Sequence, residues 1–195
     1  EGALWSKLYC GYFDRQKPDG TISLGIKNVK ELVQKLKHEN ENLLDPNAPL
    51  SGWGLDPIYF DNKALDRKML DVVSDQRPIG ILHASGHKLN INSVGLKLAG
   101  FLRTGINHEG LPLGEDGLPS GEIRGAETIA LVTRHVGLGK DWLSGDAEGL
   151  RNFGKICARA GVTTAADLAN LQTDEAVEMM LKVTSEADFP ARIVS

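Results

Sequence analysis

Only two cysteines occur in the 195 residues, Cys10 and Cys157. They form no CxxC pair and are too few for a disulfide framework, which excludes a zinc ribbon, a thioredoxin-type redox site and a small disulfide scaffold. No apolar run approaches the roughly 20 residues of a membrane-spanning helix. No excess of positive charge exists either: 26 acids against 22 Lys and Arg give a net charge of −4. Electrostatics therefore offers no reason to expect nucleic acid or an anionic membrane as partner. The catalytic signatures absent are as informative. There is no HxH, no GxSxG elbow and no DxDxDG calcium loop anywhere in the chain.

What is present is ordinary globular material, 41% hydrophobic and 25% charged. That suffices for one core, or one core and a small lobe. The chain opens Glu1-Gly2-Ala3-Leu4-Trp5 without a methionine and stops on "PARIVS", which reads as a buried strand. The expectation is that both ends are cuts in a longer protein. The compartment stays open, with the cytoplasm the first expectation and the periplasm or exterior the second.

Residues 1–45 read as mostly helical. "NVKELVQKLKHENEN" places Val29, Leu32, Val33 and Leu36 on one stripe, and Asn28 with Glu31 resembles a capping box. "DPNAPLSGWGLDP" reads as a turn-rich linker. Then "RPIGILHA" predicts a strand and "NSVGLKLAG" a short helix ended by Gly100. "RTGINHEGLPLGEDGLPSGEIRG" reads as a long loop with a turn at Asp116-Gly117, its acids Glu115, Asp116 and Glu122 solvated and His108 and Glu109 the same. Past residue 145, "DAEGLRNFGKICARAG" is a helix capped by Asp146, stopped by Gly161 and presenting Leu150, Phe153, Cys157 and Ala160 on one face. "VTTAADLA" is a strand, "TDEAVEMMLKVTSEAD" a helix from a Thr173 cap, and "PARIVS" a strand. This order makes a parallel βαβ unit.

Candidate chemistry is sparse. His83 and His87 have the i, i+4 spacing of paired ligands, but Ser85-Gly86 between them argues against a helix, and the glutamate of a zinc protease is missing. His83, inside the strand, reads as packed or hydrogen-bonded. His87, just beyond it, reads either as a pocket residue or as a loop-ordering one. A serine–histidine nucleophile in "SGH" fails because neighbouring residues cannot place attacker and base together. Asp167, at the predicted end of a strand, stands where barrel enzymes put active-site groups, or where a polar residue simply caps the connection.

The order of these segments carries a resemblance. Gly52-Trp53-Gly54-Leu55-Asp56, Leu65-Asp66, "SDQRP", "SGHKLNINSVGLKLAG", "DGLPSGEI" and "GVTTAADL" together resemble the third amidohydrolase family, over residues 51–169. Its members are metal-dependent hydrolases similar to N-substituted formamide deformylase. The resemblance implies a (β/α)8 barrel with one or two divalent metals, usually zinc, at its mouth, hydrolysing an amide-type C–N bond of a small molecule. It also implies that the metal ligands, an HxH pair above all, lie on strands this chain does not contain. By the same resemblance His87 lines the substrate side and Asn92 fixes the turn. Two departures stand out: Ser85 replaces the family's aspartate, and Gly125 stands where an acid is usual, with Glu127 nearby.

The resulting expectation is an α/β chain, a partial TIM-barrel segment plus an inserted α+β lobe. Residues 1–50 would be a helical segment following the first barrel strand, 51–125 the lobe, and 126–195 a helix and βαβ units of the incomplete barrel. Substrate-pocket candidates are His87, Asn92, Asp167 and Glu127. No metal is expected in this fragment, which would be inactive alone, and copies would associate through exposed strands. The alternative is a non-catalytic regulatory or binding protein on the same scaffold.

Overall fold

The computed structural model describes residues 2–60, 65–139, 146–167 and 173–194. The chain divides into two compact units, each assembled from segments distant in sequence. The larger unit comprises Lys7–Asp14 and Leu24–Gly139; the smaller comprises Glu1–Ser6, Arg15–Ser23 and Lys140–Ser195. Among the described residues no helix is long and apolar enough to cross a membrane.

A mixed five-stranded sheet organises the larger unit. Its strands are β1 (Leu8–Tyr9), β4 (Leu50–Leu55), β5 (Ile79–His83), β6 (Lys88–Ile91) and β7 (Glu122–Arg124), side by side in that order. The first three run parallel, and β6 and β7 continue antiparallel. Helix α1 (Val29–Asn42) buries Leu32 and Leu36 against a core that includes Cys10, Leu50, Ile79 and Ile81. Its start keeps half of the box written in the sequence, the Asn28 cap, while Glu31 reaches back one residue beyond the cap. Asn28 Oδ1 accepts from the Glu31 amide at 2.9 Å, and a Glu31 carboxylate oxygen accepts from the Lys27 amide at 2.8 Å. Burial pushes the Cys10 thiol up to about 12, against the opposing pull of Lys35, so this cysteine is a packing residue.

Two expectations are corrected here. Residues 1–45 hold one α-helix, preceded by a 3-10 turn at Gly2–Ser6, by β1, and by a short antiparallel pair, β2 (Arg15–Gln16) and β3 (Ile22–Ser23). The segment read as a linker, residues 45–57, contains β4, whose six residues are all buried. Its glycines are there because neighbours occupy the space of a side chain. A Cβ at Gly52 would lie 2.7 Å from Cys10 Sγ, and one at Gly54, where φ is +90°, would lie 2.8 Å from the Tyr9 ring.

Helices α2 (Arg67–Asp71), α3 (Ser93–Leu98) and α4 (Ala126–Val132) complete this unit. In the smaller unit, α5 (Ala147–Arg159) begins at an Asp146 cap, 2.6 Å from the Gly149 amide, and packs on the 3-10 turn. Strand β8 (Thr164–Ala166), helix α6 (Asp174–Thr184) and β9 (Arg192–Val194) follow, with β8 and β9 paired in parallel. The predicted βαβ unit is therefore formed. Residues 168–172, part of the predicted strand and of the link to α6, lie outside the described residues. No closed barrel forms among the described residues.

Candidate functional site

Strands β1, β4 and β5 end at one edge of the sheet, and open α/β sheets bind ligands beyond such carboxyl ends. Tyr12 and Phe13 follow β1, and Tyr59 and Phe60 follow β4. Tyr12 and Tyr59 stack with ring centres 5.1 Å apart, and Phe13 meets Tyr59 edge-on at 5.0 Å. This gives that edge an aromatic wall.

His83 closes β5. The antiparallel register, with Ile81 beside Asn90 and Asn90 beside Glu122, places His83, Lys88, Asn90, Glu122 and Arg124 on one face of the sheet. His83 is 4% exposed, Asn90 1% and Glu122 9%, so three polar side chains are taken out of water together. His83 Nε2 lies 2.5 Å from Asn90 Oδ1, and Asn90 Nδ2 donates to the Leu65 carbonyl at 2.5 Å. Glu122 accepts from Arg124 Nε at 2.5 Å and lies 3.7 Å from Lys88 Nζ. Burial pushes the Glu122 carboxyl up, but the Arg124 bond and the charges of Arg124, Lys88 and His83 outweigh it and hold it below its usual value. Burial holds the His83 imidazole below its usual value, against the Asn90 bond and the pull of Glu122 and Asp56, with Lys88 adding slightly to the lowering.

The residues singled out from the sequence fall on different elements, three in the larger unit and one in the smaller. His87 is exposed at the β5–β6 hairpin, its amide bonded to Ser85 Oγ at 3.3 Å and its carbonyl to the Gly125 amide at 3.0 Å. Asn92 is completely buried. Its Oδ1 accepts from the Ile79 and Gly95 amides, and its Nδ2 donates to the Ser74 and Arg77 carbonyls, all within 2.9–3.0 Å. Glu127 is exposed in the first turn of α4, which Gly125 opens with φ +80°. Asp167 is exposed in the smaller unit just after β8, its amide bonded to the Val194 carbonyl at 2.8 Å.

The sequence reading missed Asn90 and placed Glu122 in a solvated loop. "KLNI" alternates polar and apolar residues, the period that puts Lys88 and Asn90 on one strand face, and that signal was there to use. Asp116 is likewise more than a loop acid. It takes Arg67 Nη2 at 2.5 Å and Lys68 at 3.1 Å, tying the glycine-rich loop to α2.

Neither a protein-family profile nor a curated protein sequence matches the chain. Solved structures do. The chain is similar to an uncharacterized metal-dependent hydrolase from Pyrococcus horikoshii OT3, with 13% identity and a TM-score of 0.54, over 98% of this chain and 33% of that one. A metal-dependent hydrolase from Pyrococcus furiosus, also uncharacterized, gives 13% identity and a TM-score of 0.48, over 98% and 34%. The likeness is one of fold. The chain spans about one third of the length of these proteins.

The described residues do not fit the divalent metal that the sequence resemblance implies. No three His, Cys, Asp or Glu side chains gather among them as ligands. His83 has one ring nitrogen committed to Asn90, and Glu122 already carries two cations. The arrangement is suited to accepting and donating hydrogen bonds.

Proposed function

We propose that this chain is a central part of a metal-dependent hydrolase of the amidohydrolase type, acting on an amide-type C–N bond of a small molecule. The likeness in fold to the Pyrococcus horikoshii hydrolase, over nearly the whole of this chain, carries the reading. The ordered motifs of residues 51–169 support it and supply the amidohydrolase type. In this reading residues 51–125 are an inserted lobe, and β8, α6 and β9 belong to a (β/α)8 barrel completed by further polypeptide. The metal, with zinc the first candidate, is held by that further polypeptide. His87, Asn92, Glu127 and Asp167 remain this chain's candidates for the substrate side. The part taken alone is inactive.

The test compares this chain with the longer polypeptide carrying it, using metal analysis after gel filtration and a panel of N-substituted formamides, N-acyl amines and cyclic amides. The longer protein should retain metal and turn over at least one class, losing activity to a chelator and regaining it with metal. The 195-residue chain should do neither. Stoichiometric zinc in the 195-residue chain would overturn the reading. Binding of the panel by a longer protein that turns over none of it would favour the non-catalytic alternative.

A further inference from the structure

The hydrogen bonds around Asn90 determine which nitrogen of His83 carries the proton. The Leu65 carbonyl can only accept, so the Asn90 atom facing it is the amide nitrogen, at 2.5 Å. Asn90 Oδ1 must then face the imidazole, and His83 Nε2, 2.5 Å away, must be the donor. In a neutral ring this leaves the lone pair on Nδ1. A backbone carbonyl thus fixes the tautomer of a buried histidine through an intervening amide, the role that carbonyls and carboxylates play behind functional histidines. His83 is the last residue of β5, beside the end of β4 in the register, on the edge where ligands of parallel sheets bind.

The geometry points to His83 Nδ1 as a hydrogen-bond acceptor for a neutral small molecule bearing an N–H or O–H donor, with Asn90 as its positioning residue. The charges acting on the ring agree. Asp56 and Glu122 act on it as negative charges and Lys88 as a positive one, while Arg124 is spent on Glu122. Burial keeps the ring neutral, so the acceptor persists at neutral pH. An acceptor at Nδ1, with Asp56 and Glu122 acting on the ring as negative charges, favours a donor-bearing ligand over an anionic one. The site belongs to the larger unit and stands independently of the hydrolase reading.

The test is long-range proton–nitrogen NMR on the intact 15N-labelled chain. At neutral pH His83 should show the Nε2-protonated tautomer. N-methylacetamide, which has one N–H, should move the Nδ1 resonance saturably. N,N-dimethylacetamide, which has none, should bind about fivefold more weakly or not at all, the loss of one hydrogen bond. Asn90→Ala should mix the tautomers and erase the preference between the two amides. An Nδ1-protonated ring in the wild-type chain, or identical responses to both amides (the absence of any response included), would overturn the assignment. The wild-type measurements decide the matter even if the variant does not fold.

Discussion

Asn92 and Arg77 show how much structure single residues carry here. Asn92 spends all four of its side-chain hydrogen bonds on backbone, capping α3 and stitching it to the start of β5. Asn92→Ala removes the partner of the Ile79 and Gly95 amides and of the Arg77 and Ser74 carbonyls, the first three of them buried bonds, and should cost about 3 kcal/mol, read as a shift in the urea midpoint. Arg77, 6% exposed, donates to Asn40 Oδ1 at 2.8 Å and to the carbonyls of Leu43, Asp45 and Ala48, holding the segment that leads from α1 into β4. These are motif residues, and in this chain they bond to backbone. A second residue-scale prediction follows from His83. Its folded pKa is lowered below 6.5. Above that pH both states are neutral and the ring contributes nothing to pH dependence. As pH falls below 6.5, the unfolded chain takes up a proton that the folded chain refuses, and stability declines until the folded ring titrates as well. Glu122 acts in the same direction, its stabilisation present above the unfolded carboxyl value and lost as pH falls through the lowered folded one. Between pH 6.5 and about pH 5 the wild-type midpoint should fall, and His83→Gln should fall less. Equal slopes for the two proteins would count against a neutral buried ring.

At the scale of elements, β4 is the instructive case. Leu50-Ser51-Gly52-Trp53-Gly54-Leu55 has the composition of a turn, yet it is a buried strand between β1 and β5. Propensity failed because the side chains needed at Gly52 and Gly54 are none, the room being taken by Cys10 and Tyr9. Gly52→Val should therefore destabilise the chain by about 2 kcal/mol or more in thermal unfolding, and Cys10→Ala should recover part of that loss. The helices were legible for the opposite reason. Their signals are local, since the caps at Asn28, Asp146 and Thr173 each bond an amide three residues on. Strand β7 was hidden because its partner β6 lies far back in the sequence, on the other side of α3 and the glycine-rich loop. Glu122 looks like any loop acid until Arg124 and Lys88 are placed beside it.

At the scale of the molecule, the motifs that supported the resemblance became β4, the Arg77 clamp, the α3 cap and the loop held by Asp116. Backbone demands of this kind leave marks on residue type, so scaffold was readable from sequence. The His83–Asn90–Glu122 row was not, because its partners meet only through tertiary pairing. The division into two compact units has its own consequence. Each contains its own buried residues, Leu32, Leu36, Ile79 and Ile81 in the larger and Gly149, Gly154, Cys157 and Val183 in the smaller. Separate cores permit separate opening, so a change confined to one should register there. Asn92→Ala should accelerate amide exchange throughout β4, β5 and β6 while leaving α5 and α6 at wild-type protection. Asp146→Ala, which removes the α5 cap at a cost of about 1 kcal/mol, should do the reverse. Hydrogen-exchange mass spectrometry resolves both sets of peptides in one experiment. Uniform acceleration across all of them by either variant would show a single cooperative unit in place of two.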